Sequence, residues 1–231
     1  MDALGERLAR LRAQISEAER RWGRAEGSVR LLAVSKLRAA VEVDSVAALG
    51  QRAFGENYVR EALVKMAAVG SRDLEWHLIG PLQSNKTAEV AAHFDWVHSL
   101  DRERIARRLS TQRPQDLPPL RVCLQVNTSG EPSKAGVRAE DLPALAELVA
   151  SLPRLELVGL MNLPEPVTGL TAQRREFAEL ARLAVDLRAR GHRCPELSMG
   201  TTADLDAAIA EGATLVRVGT GLFGPRPEQA N

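Results

Sequence analysis

An amine at the end of an apolar, β-rich run is in an unusual place. In Leu31-Leu32-Ala33-Val34-Ser35-Lys36 the lysine falls at the rim of a strand instead of on a solvated helix face. An amine held against apolar walls is disfavoured in its charged form, so it titrates below its ordinary ~10.4 and attacks carbonyl carbons near neutral pH. The plainer account of one such residue is a strand that ends on a solvated lysine. The choice rests on what else the chain gathers around Lys36.

Two loops supply a second kind of chemistry. Leu197-Ser198-Met199-Gly200-Thr201-Thr202-Ala203-Asp204 puts small and hydroxyl-bearing residues where a strand gives way to a helix, and Val218-Gly219-Thr220-Gly221-Leu222-Phe223-Gly224 repeats the pattern. Such junctions offer backbone N–H groups and a favourable dipole to an anion. The bland alternative is that glycine and threonine make turns and that Thr202 caps a helix. Arg217, inside the apolar run Thr214-Leu215-Val216-Arg217-Val218, needs a partner because a buried unpaired charge is costly. That partner is either a structural acid or a cofactor. His77, between Trp76 and Leu78, reads as a core histidine or a functional one. A lysine nucleophile, a phosphate cradle and an interior arginine describe a site for an aldehyde that carries a phosphate. Pyridoxal phosphate (PLP) satisfies that description, and so does a phosphosugar in a Schiff-base aldolase.

The elements that must position these groups alternate along the chain. Leu4, Leu8, Leu11, Ile15 and Trp22 recur at helical intervals, so residues 1–24 read as an amphipathic helix packed on whatever follows, ended by Gly23 and Gly27. Strand-like runs follow at 31–35, 52–54, 75–80, 96–100, 120–126, 155–161, 196–199 and 215–219. Helical patterns lie between them at 39–49, 58–69, 85–93, 102–111, 139–151, 171–190 and 203–211, with Ser84 and Asp101 as expected N-caps. Eight strands joined by helical crossovers predict an α/β fold, a single TIM-like (β/α)8 barrel with an extra N-terminal helix, spanning residues 1–231 as one domain. The very short second strand is the weak element, since its loss would open the barrel into a doubly wound sheet. In a barrel the active groups sit at strand C-termini, which gathers Lys36, Asn57, His77, Gln83, Asn85, Asn127, Asn162, Ser198 and Arg217 toward one face.

Composition excludes other classes. The formal charge of +1 gives no basic field for nucleic acid. No apolar run reaches the ~20 residues that span a bilayer, and the charged start of the chain lacks a signal core, which predicts a cytoplasmic protein. The two cysteines, Cys123 in a strand-like run and Cys194 before a proline, lack metal-ligand spacing and read as one buried and one half-exposed thiol. No metal site is expected.

Ala33-Val34-Ser35-Lys36, Phe54-Gly55-Glu56-Asn57-Tyr58, Trp76-His77-Leu78-Ile79-Gly80-Pro81-Leu82-Gln83-Ser84-Asn85-Lys86, Gly159-Leu160-Met161 and Val216-Arg217-Val218-Gly219-Thr220 closely resemble the YggS-type PLP homeostasis family. The likeness runs from the first helix to Phe223-Gly224-Pro225-Arg226. It implies a barrel similar to the N-terminal domain of alanine racemase, with PLP held as an internal aldimine on Lys36. It further implies that Thr202, Thr220 and the amides near Gly200, Gly219 and Gly221 hold the phosphate with Ser198 close by. Arg217 would face the pyridine nitrogen, and Asn57 and Met161 would line the ring. This chain departs from the family where Gly200-Thr201-Thr202 replaces a Gly-Met-Ser pattern and where Asn162 follows Met161.

An arginine opposite the pyridine nitrogen keeps that nitrogen unprotonated, because a guanidinium only donates. The ring is then a poor electron sink. A two-base racemase of the related kind takes a tyrosine from an additional C-terminal domain of its partner subunit, whereas this sequence ends at Asn231 and its one tyrosine is Tyr58. The expected function is therefore a monomeric PLP carrier that buffers the cofactor or delivers it to PLP-dependent apo-enzymes, and not an enzyme. A low-activity amino-acid racemase and, further off, a phosphosugar aldolase are the alternatives.

Overall fold

A computed structural model describes residues 3–71, 73–131 and 134–225. Arg226, the last residue of the C-terminal motif, lies outside them. Eight parallel strands close into a barrel in sequence order, β1 (Arg30–Val34), β2 (Ala53–Glu56), β3 (Glu75–Leu78), β4 (Trp96–Leu100), β5 (Leu120–Gln125), β6 (Leu155–Met161), β7 (Glu196–Ser198) and β8 (Leu215–Val218), with β8 returning to β1. The helices α1 (Ala3–Arg21), α2 (Ala40–Ala48), α3 (Val59–Ala68), α4 (Thr87–His93), α5 (Glu103–Gln112), α6 (Leu142–Ser151), α7 (Leu170–Ala189), α8 (Leu205–Ala210) and the single turn α9 (Thr220–Phe223) surround it. The expected barrel and its extra first helix are both present. The doubtful second strand is real and longer than expected. Gly55 and Glu56 continue it, pairing with Val34 on one side and with His77 and Leu78 on the other.

Strand alternation divides the core in two. Outward residues such as Ala33, Leu78, Val97, Leu197, Val216 and Val218 join the large apolar layer under the helices. Their neighbours Leu32, Trp96, Cys123, Val158, Met161 and Leu215 form a separate small cluster, the barrel interior. By the same period of two, His77, His98, Ser198 and Arg217 turn inward, and all four are buried. α1 places Leu8, Leu11 and Ile15 against the barrel's outer layer, beside α8 and α9. Its buried Glu19 accepts the Val29 N–H at 2.8 Å and so steers the chain into β1.

Two local expectations need correction. Neither Asp101 nor Ser84 caps a helix. Arg102 holds the cap position of α5, with Asp101 bonded to its guanidinium, and Ser84 opens a 3-10 turn, Ser84–Lys86, ahead of α4. Both cysteines are buried and free, so Cys194 is not half-exposed.

Candidate functional site

A cavity of about 340 Å3 opens where β1, β2, β7 and β8 end. Its walls bring together Lys36, Asn57, Thr202, Arg217, Gly219 and Thr220, residues that the sequence scatters over nearly its whole length. Val34, Ile79 and Leu163 add apolar wall, and Thr201, Ala203 and Arg38 complete it. A pocket of this size, apolar with a few convergent polar groups, is the usual form of a small-molecule site.

Lys36 stands two residues past β1, half-buried, on a turn that is held from below. The next residue, Leu37, has φ +61°, and it is the one non-glycine at positive φ among the described residues. A side chain there costs on the order of 1–2 kcal/mol, which must be compensated locally. Compensation comes from a buried cluster. Glu61 accepts the Leu37 N–H at 2.6 Å, while Lys65 donates to the Ser35 carbonyl at 2.6 Å, to Glu56 Oε1 at 2.5 Å and to Glu61 at 3.1 Å. Ser35 Oγ also donates to Glu56 Oε1, at 2.6 Å. Burial pushes the Glu56 carboxyl up, and the Lys65 charge and hydrogen bond oppose it.

Asn57 follows β2. Its Oδ1 is buried and has no hydrogen-bond partner. A wall residue with an unsatisfied buried acceptor is suited to a ligand that brings a donor. Gly80 permits the approach, because a Cβ at that position would lie 2.2 Å from the Asn57 carbonyl oxygen.

The wall from the last two strands is built of exposed hydroxyls and tight turns. Thr201, Thr202 and Thr220 are exposed, and Asp204 closes the first loop by accepting from the Thr201 N–H at 2.5 Å and its Oγ1 at 2.8 Å. The second loop is α9, whose Leu222 and Phe223 amides return to the Gly219 carbonyl. The earlier amides of such a turn have no partner within it. The loops touch: a Cβ on Gly221 would lie 2.8 Å from Thr202 Cγ2 and 3.1 Å from its Oγ1.

Arg217 is buried inside the barrel and reaches the cavity wall. It has three neutral acceptors: the Ser198 carbonyl, Ser198 Oγ at 2.9 Å and the Asn162 carbonyl at 2.8 Å. Burial brings its pKa down to about 10, which leaves it a cation at neutral pH.

Other expected residues fall elsewhere. Ser198 and Met161 are in the barrel interior and are not part of the cavity wall, and Gly200, at φ +89°, lines an adjoining pocket with Thr201, Asp204 and Arg217. Gln83, Asn85 and Asn127 are not in the wall, and Asn127 ties its own loop through the Glu131 carbonyl at 2.7 Å. Tyr58 is 55% exposed on the outer side of the rim, beside Val64 and Arg60. His98 and Lys65 carry no sequence-level expectation, yet both organise the site. An inward-facing polar residue two positions from an inward Trp96 is the signal for His98. Lys65 has none, being one charged residue among several on an amphipathic helix.

Residues 7–227 match the family described as the alanine racemase N-terminal domain. The pyridoxal phosphate homeostasis protein of Pseudomonas aeruginosa is 54% identical over 98% of this chain and 97% of its own length. The protein of the same name from Escherichia coli K12 is 46% identical over 98% of both chains. The structure of PipY from Synechococcus elongatus with PLP bound is similar at 39% identity and a TM-score of 0.85, covering 96% of this chain and all of that one. Alanine racemase from Corynebacterium glutamicum shares the fold at 16% identity and a TM-score of 0.73, and this chain covers 64% of it.

Proposed function

The chain belongs to the family of the alanine racemase N-terminal domain, and from that premise we propose that it is a PLP-binding protein of cofactor homeostasis. The observation that carries this reading is the single cavity in which Lys36, Asn57, Thr202, Arg217 and Thr220 meet. Relatives of matching length named for PLP homeostasis, and a similar structure with PLP bound, support it.

PLP supplies an electrophilic aldehyde, a dianionic phosphate and a pyridine ring. The Lys36 amine takes the aldehyde as a Schiff base, presented by the turn that Glu61 and Lys65 brace. Thr202, Thr220 and the backbone of Gly200, Gly219 and Gly221 take the phosphate, where exposed hydroxyls and unpartnered turn amides face an anion. Asn57 Oδ1 accepts from a ring substituent, and Met161 backs the ring from the barrel interior beside Ser198. Arg217 donates to the ring nitrogen and withholds a proton from it, because its own proton is not available at neutral pH.

That last feature disfavours decarboxylation but is tolerated by racemases, so the case for a carrier over an enzyme rests on the second base. With its nitrogen unprotonated the ring accepts electrons poorly, and Tyr58, the chain's one tyrosine, stands outside the cavity wall, so it is not placed as a second base. We read the protein as a cytoplasmic monomer that buffers PLP or delivers it to apo-enzymes. The test is visible absorbance of the purified protein with and without added PLP. The wild type should show a Schiff-base band that Lys36→Ala lacks. A wild type with no such band at saturating PLP overturns the reading.

A further inference from the structure

A line of buried polar groups runs through the barrel from Arg217 to the opposite end. Ser198 Oγ lies 2.9 Å from Arg217 and 2.7 Å from His98 Nδ1, His98 Nε2 lies 2.8 Å from His77 Nδ1, and His77 Nε2 lies 2.7 Å from Glu75 Oε1. Glu75 opens β3 on the barrel floor, where Arg121 donates to it at 2.9 Å and Arg30 at 3.4 Å. In an apolar barrel interior, five polar side chains in a row demand a reason.

Donor and acceptor roles in this line are fixed from the carboxylate end. An ionised carboxylate only accepts, so His77 Nε2 donates to Glu75. A neutral His77 then accepts on Nδ1 from His98 Nε2–H, and a neutral His98 accepts on Nδ1 the single proton of Ser198 Oγ, whose lone pairs accept from Arg217. Burial holds both histidines below their ordinary value, so both are neutral at neutral pH. Burial pushes Glu75 up, but hydrogen bonds from His77 and neighbouring positive charge outweigh it and bring the carboxyl to about 2.

We propose that Glu75, His77, His98 and Ser198 are positioning residues, a single tautomer-locked hydrogen-bond chain that holds the Arg217 guanidinium in place and ties it to the carboxylate on the barrel floor. Arg217 needs such a device because its own acceptors are all neutral. Every donor in the chain points from the cavity toward Glu75, so the bonds polarise one another in the sense that favours the guanidinium. The residues below the site thereby set the donor that meets the ring, an assignment that rests on PLP being the ligand.

The test has two arms. In the ligand-free protein, 15N NMR of the imidazoles should show His77 and His98 as neutral Nε2–H tautomers at neutral pH, and the chain has only four histidines to assign. An Nδ1–H tautomer or a cationic ring at either position overturns the proposal. In the PLP-loaded protein, Glu75→Gln, which touches no cavity residue, should weaken PLP retention about threefold to tenfold and displace the visible absorption maximum. Glu156→Gln, on the exposed end of β6, should change neither. Unchanged retention and spectrum in Glu75→Gln overturn the positioning role. A wild type that takes up no PLP sinks the cofactor reading instead, and the tautomers still decide whether the chain exists.

Discussion

Two buried cations on opposite sides of the same sheet are held in opposite ways. Lys65, between the barrel and α3, is 4% exposed and clasped by two carboxylates, Glu56 and Glu61. Arg217, also 4% exposed but on the inner face, hydrogen-bonds only carbonyl and hydroxyl oxygens, with Asp204 acting on it through space and Glu75 four hydrogen bonds away. An ion pair closed on itself can brace a strained turn, and Lys65 does so next to Lys36. A guanidinium with no carboxylate in hydrogen-bond contact still has attraction to offer a ligand. The arrangement separates rigidity from binding: the outer cation holds the backbone that carries Lys36, and the inner one is the group that the ring of the proposed ligand would meet.

The contrast breaks most sharply when each cation is removed. Lys65→Met takes the cation away from a buried carboxyl that burial already pushes up, so denaturant unfolding should show a loss of about 3–5 kcal/mol. Arg217→Met strands no hydrogen-bonded carboxylate and should cost within about 1 kcal/mol. Equal losses would mean that the two cations are structurally alike. Next in size, Gly221→Ala forces a Cβ to within 2.8 Å of Thr202 Cγ2. Unfolding should show a cost of about 1–3 kcal/mol, and phosphate-dependent PLP retention should fall with it.

For ligand binding the order of the two cations reverses. Arg217→Met should weaken PLP retention about tenfold, ~1.4 kcal/mol, in equilibrium dialysis. Lys65→Arg, which keeps the charge, should retain PLP much better than Arg217→Met does. The smallest effect is with pH. His77 and His98 titrate below their ordinary 6.5, so the unfolded chain binds protons first and stability falls as pH drops below about 6.5. Glu75 adds to the loss from its ordinary 4.5 down toward 2. Glu56, raised by burial, acts in the other sense, its charging costing stability as pH rises from 4.5. His98→Gln should flatten the decline below pH 6.5 in thermal melts. An unchanged profile would place the titration elsewhere.

Much of this arrangement is legible in the sequence itself. Lys36, Asn57, Thr202, Arg217 and Thr220 stand out because the end of a parallel strand is where a barrel presents side chains, and strand ends can be read from apolar runs. What escapes the sequence has definite physical causes. Gly55 looks like a break after 52–54, yet it continues β2 because a Cβ there would press on Leu32 and Ile79 at 3.2–3.3 Å. The missing side chain serves close packing, not a turn. α9 is a single turn, too short for any periodicity to register. Lys65 is indistinguishable in sequence from a solvated helix lysine, since its burial depends on a strand acid nine residues earlier. His77 is visible as ambiguous, but its meaning depends on His98, which lies beside it only once β3 and β4 pair.

The central claim is that Lys36 is the residue that holds the cofactor. Borohydride reduction of the PLP-loaded protein followed by peptide mass mapping tests it most directly. The account requires one phosphopyridoxyl adduct, on the peptide that carries Lys36, and none after Lys36→Ala. An adduct on Lys65, Lys86 or Lys134 with Lys36 unmodified would contradict it.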